Sequence, residues 1–469
     1  MTLQNLEKEA SLKTASPSNI LSDPIFPTLV RLSLPNMAVM LASALAAIIE
    51  MAYVGKFGTS ALAGIAVVFP IIVLQQSFSN GAMGGGVSSA ISRALGAKDE
   101  ERAQNLAIHA LLIGLIGGVV FSGLMLGFGR PIFSFLGARE DAVVEALSYG
   151  NVIFFGSVAV WQTSMLMSII RGCGDMKIPS QILLLVLIMQ SVISGGLGFG
   201  IGPLPELGMA GIAYGHVIAF TGSFLFLFWY LWAGKSRIPL SFSNVRLQRH
   251  LFKEILYVGL VSCISPLQTV LTVLITTGFV AHYGKDALAG YGIGARLEMV
   301  LIPIAFGIGV ACVPIVGMAI GAGDVSRARR AAAYGGGLAA LIVGLIGLIV
   351  IIAPGLWADI FTSDPRVLGV AYSYLIWSGP AYAFFGLGLC LLFASQGAQK
   401  VLGPVLAGTV RLIVVTIGCL FLSQIDATPR HFFMLVGIGM SIYGIFAAIS
   451  VYQTNWKPTT PPQTLAVKT

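Results

Sequence analysis

Ionisable side chains inside long apolar stretches are the residues of this chain best suited to do chemistry. Glu50 lies in the first such stretch, five residues before Gly55 near its end. At the centre of a bilayer an ionised carboxylate costs about 2.5–3.5 kcal/mol on insertion scales, and less near the edge. An acid kept there is suited to reversible protonation or to holding a cation. Pro35, fifteen residues earlier in the same run, removes one backbone hydrogen bond and permits a helix to bend. The blander reading of Glu50 is a side chain that reaches the outer interface and is simply solvated. Arg296 and Glu298 share a later run. Two residues apart, they point about 200° apart around a helix, so they cannot both face one groove. Each then pairs with a different neighbour or tethers helices. Arg411, in a further run, is placed to meet an anionic ligand or Glu298.

Other chemistries find no support. The chain has no G-x-x-x-x-G-K-[ST] phosphate loop. Gly84-Gly85-Gly86 and Gly335-Gly336-Gly337 lie at apolar segments, where glycines allow close helix packing or kinking. The five histidines are dispersed, and no pair of the five cysteines has metal-ligand spacing or suggests a disulfide framework. The cysteines are expected as buried free thiols. Neither an enzyme nor a bound metal or organic cofactor is expected.

The elements that must position these residues are membrane helices. The chain is 56% hydrophobic and only 10% charged over 469 residues, against about 25% charged in soluble domains. Such a surface requires lipid as solvent. The apolar runs are about 20 residues or more and do not alternate, which selects helices over barrel strands. Twelve runs are expected, near 28–54, 61–85, 104–127, 143–169, 178–201, 207–232, 254–281, 287–320, 329–353, 367–394, 401–423 and 432–453. The first is too long for a cleaved signal core, and the stretch before it is polar. The organisation expected is an N-terminal tail over 1–26, a six-helix lobe over 27–232, a linker over 233–253, a second six-helix lobe over 254–453, and a tail over 454–469.

The two lobes repeat. Gly55-Lys56-Phe57-Gly58 followed by Ala61-Leu62-Ala63-Gly64 recurs as Ala281-His282-Tyr283-Gly284 followed by Ala287-Leu288-Ala289-Gly290, offset by 226. Arg102-Ala103, Tyr149, Gly172 and Pro179 recur as Arg327-Ala328, Tyr374, Gly397 and Pro404, all offset by 225. One offset persisting over a hundred residues marks a duplication. Because each half has six spans, both start on the same side, and a pseudo-two-fold axis along the membrane normal relates them. At offset 226 the partner of Glu50 is Thr276, so the acid is not demanded by the repeated fold. Of the 27 Lys and Arg, nineteen fall in one set of alternate loops and tails and six in the other, with Arg296 and Arg411 inside spans. The richer side is expected to be cytoplasmic, with both termini. This placement of charge speaks for membrane orientation and against nucleic-acid binding.

Together, Pro35, then Glu50-x-x-x-x-Gly55-x-x-Gly58, then Ala61-Leu62-Ala63 resemble the first repeat of the multidrug and toxic compound extrusion (MATE) family. So do Ser92-Arg93-Ala94-Leu95-Gly96-Ala97, Ala295-Arg296-Leu297-Glu298 and Gly317-Met318-Ala319-Ile320-Gly321-Ala322. The resemblance covers about residues 27–453. It implies an all-α integral membrane fold, twelve helices in two pseudo-symmetric lobes around a V-shaped cleft. It implies export of organic cations or other amphipathic molecules against an inward flow of protons or sodium ions, from the bacterial inner membrane. Monomers in contact with membrane lipids are the expected form. Glu50 stands where the family commonly has an Asp on its first helix, proposed as a proton site. On the fifth helix, where many prokaryotic members carry Asn and Asp, this chain has Gln190 and Ser194. The seventh-helix acid of some sodium-coupled members is replaced in the region of Gln268 and Thr269. A weaker charge network favours the proton, with sodium as the alternative. Competing readings are a lipid-linked oligosaccharide flippase of the same superfamily, which would need more cations facing the cavity, and a passive channel or receptor. A major-facilitator transporter would show a Gly-Arg-rich loop after its second helix, and the segment Arg93–Arg102 is not one.

Overall fold

A computed structural model of the chain describes residues 20–241, 247–425 and 427–457. Most of the expected N-terminal tail, part of the linker and most of the C-terminal tail lie outside the described residues.

The described residues are helical, without strands. The spans are α1 (Ile25–Gly55), α2 (Thr59–Gly96), α3 (Glu100–Phe135), α4 (Glu140–Phe155 with Ser157–Gly172), α5 (Lys177–Phe199) and α6 (Gly208–Trp232). The second set is α7 (Arg249–Ala281), α8 (Lys285–Gly321), α9 (Val325–Ile352), α10 (Pro365–Gly397), α11 (Leu402–Leu422) and α12 (Pro429–Gln453). Eleven are long and apolar enough to cross alone; α4 crosses as a pair bent by 45°. The fold is an all-α membrane protein of two pseudo-symmetric six-helix lobes.

The ends of the helices show why the chain turns where it does. Gly58 and Gly284, repeat partners, take φ of +100° and +94°, a region that favours glycine. Asp99 and Asp324 cap α3 and α9, their carboxylates accepting from Arg102 N at 2.9 Å and Arg327 N at 2.8 Å. Such caps satisfy amide donors that no helical carbonyl can reach. Interior irregularities are also duplicated. The bend of α4 at Gly156 corresponds to the 3₁₀ turn Gly379–Ala381 in α10. The π-helical turn Ser77–Met83 in α2 corresponds to the level of Pro303 in α8.

Several spans extend beyond the apolar runs. α2 continues through Ser88, Ser89, Ser92 and Arg93 to Gly96, because all thirteen residues of Gly84–Gly96 are buried between helices. Polarity there marks helix contact, not a loop. Arg93 and Arg171, expected as loop cations, are only 7% and 3% exposed. Arg171 closes α4 and donates to Asn80 Oδ1 at 2.5 Å.

The lobes meet at one end of the molecule, here called the basic face because Lys98, Arg102, Lys177, Arg330 and Lys400 lie there. Gly84–Gly96 of α2 packs against the continuously buried stretch Gly307–Ile320 of α8. Glycines permit the approach: a Cβ on Gly86 would come 2.7 Å from Ile255 O, and on Gly307 2.8 Å from Met37. One added on Gly96 or Gly321 would overlap the backbone of Met318 or Arg93. Glu254 of α7 seals the seam. It accepts from Arg93 Nη2 at 3.0 Å and Arg102 Nη2 at 2.7 Å, while Arg93 Nη1 donates to Gly397 O at 3.1 Å. Among the described residues, the hydrogen bonds that join the lobes all lie in this half. Toward the opposite face α1 exposes Leu41, Leu45 and Ile48, and α7 exposes Leu267, Leu271 and Leu274.

Candidate functional site

Glu50 sits in the last third of α1, on the side away from the basic face, half-buried and bonded by side chains from two other helices. Tyr149 from the first half of α4 donates its hydroxyl to Glu50 Oε1. Gln190 of α5 donates through Nε2 to Oε2 at 3.2 Å. His216 of α6 stands behind it, its Nδ1 3.2 Å from Gln190 Oε1 and its ring 4.5 Å from that of Phe220. The chain of roles is consistent only one way. If the amide NH₂ serves Glu50, the amide oxygen must accept from a protonated Nδ1. Tyr149 is 1% exposed, Gln190 8% and His216 4%, so the network is shielded from solvent.

This arrangement suits a proton switch. Both carboxylate oxygens are served by donors, as an ionised acid requires. Protonation turns one oxygen into a donor that must find an acceptor. The tyrosine hydroxyl can reverse its direction, and the amide can reorient. Protonation of Glu50 would thereby act on the hydrogen bonds that hold α1 to α4 and α5, and through Gln190 on α6. Ser194, one turn beyond Gln190, donates to Ile212 O at 2.8 Å and so fastens α5 to α6 behind the carboxylate. Pro35 lies inside α1 without ending it; Ser33 donates to Leu29 O at 2.7 Å in the same turn.

The other lobe holds a second acid. Tyr374 donates to Glu298 Oε1, and Arg411 is near enough to act on Glu298 electrostatically. Tyr291 and Phe433 flank the Tyr374 ring at 5.3 and 5.1 Å. Arg411 is 5% exposed, with its guanidinium 5.4 Å from the Phe385 ring. Arg296, on another side of α8, is exposed and lies 5.4 Å from the Phe361 ring. Gln268 binds Thr409 Oγ1 at 2.7 Å, joining α7 to α11, and Thr269 donates to Ser265 O at 3.1 Å. Thr276, the repeat partner of Glu50, donates to Thr272 O at 2.9 Å. Among the described residues no group of three His, Cys, Asp or Glu is placed to hold a metal.

The tyrosines are the unforeseen members. Tyr149 and Tyr374 are repeat partners, and each holds a half-buried acid in its lobe although those acids come from non-equivalent helices, α1 and α8. The repeat match was the available signal. Nothing in the sequence singled out His216 or the Arg93–Glu254–Arg102 cluster.

Comparison with known proteins agrees with this architecture. The MatE family model matches residues 35–196 and again 262–421, once in each lobe. A relative in Bacillus subtilis, "Probable multidrug resistance protein YoeA", is 26% identical over 363 residues, covering 76% of this chain and 78% of its own length. A "FAD transporter" of Shewanella oneidensis is 25% identical over 397 residues, covering 84% and 87%. Among solved structures, an outward-facing multidrug resistance MATE family transporter of the MOP superfamily superposes with a TM-score of 0.85 at 23% identity, over 94% of this chain and 99% of its own. With a family model matching well over half of its length and each of its halves in turn, the chain belongs to the MatE family, the multidrug and toxic compound extrusion transporters, and is not an enzyme.

Proposed function

We propose that the protein is a secondary antiporter that exports small amphipathic or cationic molecules, driven by inward movement of protons through Glu50. The observation that carries this reading is the enclosed carboxylate of α1, held by Tyr149 and Gln190 from two other helices. Names of relatives such as YoeA point to multidrug efflux. In this reading the basic face is cytoplasmic, the protein sits in a bacterial inner membrane, and residues 27–232 and 254–453 are the bodies that move about the linker 233–253. The cargo binds between the lobes, where the half-buried acids Glu50 and Glu298 favour cations. Proton entry at Glu50 removes its charge, reorders the bonds to α4 and α5, lets α1 repack and weakens the hold on a bound cation. One charge crossing 100 mV releases about 2.3 kcal/mol, which sustains roughly a fifty-fold gradient of an uncharged cargo exchanged for one proton. A monovalent cation exchanged one for one moves no net charge and draws on the proton concentration difference alone. No nucleotide is required.

Purified protein in proteoliposomes tests this, with a fluorescent organic cation inside and proton and sodium gradients imposed separately. A proton gradient should drive uphill export, Glu50→Gln should abolish it, and Glu50→Asp should retain part. Uphill movement with sodium alone would assign the other ion. A Glu50→Gln protein that transports at the wild-type rate with unchanged pH dependence would show Glu50 to be a solvated interface residue.

A further inference from the structure

The pseudo-two-fold axis places the start of α1 opposite the start of α7, and the difference between them exposes an unfilled role. At offset 226 the burial patterns agree: Ile25, Thr28, Leu29, Leu32, Asn36 and Val54 are buried, as are Leu251, Glu254, Ile255, Val258, Ser262 and Val280. The partner of Glu254 is therefore Thr28. The partner of Arg102 is Arg327, at the start of α9. In one half of the molecule Arg102 and Arg93 are neutralised by Glu254. In the other half Arg327 is more deeply buried than its partner, 9% exposed against 34% for the Arg102 side chain, and faces no acid at Thr28.

Arg327 finds carbonyl oxygens instead, donating through Nη2 to Ile20 O and Asp23 O at 2.5 Å each. Carbonyls supply dipoles but no countercharge, and Arg327 Nε has no partner among the described residues. Beside it lies a cavity of about 320 Å³, lined by Ser22–Pro27, Arg327, Arg330 and Tyr334, which is about ten water volumes. Arg330 is exposed there. The first turn of α1 adds further donors, since its N-cap residue Pro24 has no side-chain cap to offer. The amides of Ile25 and Phe26 lie at this helix N-terminus, a place that favours anions. Among the described residues the acids nearby are committed: Asp23 pairs with Arg31 at 3.5 Å, and Asp324 caps α9. Phe26 and Tyr334, 48% and 49% exposed, pack edge to face at 6.2 Å on the rim. Aromatic side chains of this kind sit at the level of lipid headgroups.

We propose that this cavity binds the phosphate of an anionic membrane lipid, with Arg327, Arg330 and the first amides of α1 as ligands and Phe26 and Tyr334 against the upper acyl chain. Basic pockets between membrane helices recognise anionic headgroups in this manner. The bound lipid supplies the negative charge that Glu254 supplies in the other half. Because α1 and α9 belong to different lobes, it fastens the lobes together at the basic face. The inference does not depend on which molecule is exported.

The full chain in nanodiscs tests it, with phosphatidylcholine alone or mixed with phosphatidylglycerol, read by native mass spectrometry and thermal unfolding. Wild type should retain phosphatidylglycerol and unfold at higher temperature in its presence. Arg330→Gln, at an exposed position, should weaken retention at least about tenfold, the loss of one charge-assisted contact. Lys177→Gln, elsewhere on the same face, should not. Thr28→Glu installs the missing acid and should remove the dependence on phosphatidylglycerol without lowering stability in phosphatidylcholine. Equal retention by Arg330→Gln, or equal loss in Lys177→Gln, would overturn the site. Stabilisation by inorganic phosphate in phosphatidylcholine, equal to that by phosphatidylglycerol, would overturn the lipid as its source.

Discussion

Glu50 and Glu298 show how one residue type is put to work by a neighbour the sequence leaves inconspicuous. Each is met by a tyrosine hydroxyl, and the two tyrosines are equivalent under the repeat although the acids are not. Hydrogen bonds to charged groups contribute about 1.5–3 kcal/mol, enough to decide where a carboxylate points. Tyr149→Phe should therefore insert normally and lose most proton-driven export, at least about tenfold by that figure. The double variant with Glu50→Gln should be no worse than Glu50→Gln alone, because the two act as one unit. Export by Tyr149→Phe at the wild-type rate would make the contact incidental. Glu50 was legible as an acid in an apolar run. Tyr149 was legible only as a matched position, since a tyrosine in a membrane helix is ordinarily packing. His216 was not legible at all, because its role exists only once α5 and α6 lie side by side and Gln190 needs a donor for its oxygen.

At the scale of elements, the twelve helices were readable from apolar length, and the duplication from a constant offset. The helix ends were not, because Ser88–Arg93 looks like a loop and is the most enclosed part of α2. Sequence polarity reports an environment of water or of protein alike, and only packing separates them. The same stretch forms the seam, where Gly96 lies against Met318 and Gly321 against Arg93. Adding a side chain there has nowhere to go but between the lobes. Gly96→Val should hold the basic face open, and a cysteine placed at buried Ser89 should then react several-fold faster with an aqueous maleimide added at that face. Glu254→Gln should act the same way by a different cause. It leaves Arg93 and Arg102 without a countercharge, a loss on the order of 3 kcal/mol for a broken buried pair. Unchanged labelling in both variants would show that the seam is not a moving contact.

The whole molecule has one face rich in cations and one poor, and such a bias orients a chain through where its charges can go during insertion. An even number of spans per lobe puts the starts of α1 and α7 on one side, so the bias accumulates instead of cancelling between repeats. On the poor face several of the cations are occupied locally. Lys56 lies 4.9 Å from the Phe199 ring and Arg430 4.3 Å from that of Trp377, while Arg366 pairs with Asp286 and Asp364 at 3.5 and 3.2 Å. On the basic face Lys98 and Lys177 are exposed. Because positive residues in short loops are retained on the cytoplasmic side, the basic face should be inside, and the exposed flanks of α1 and α7 should open outward. The check uses single cysteines in a background where Cys173 and Cys263, the two native thiols that are not buried, are replaced by Ser. Cysteine at Lys56 or Lys285 should react with an impermeant reagent on intact cells. Cysteine at Lys98 or Lys235 should react only after the membrane is permeabilised. The opposite pattern would invert the molecule and place Glu50 near the cytoplasm, while the direction of antiport, set by the ion gradient, would be unchanged.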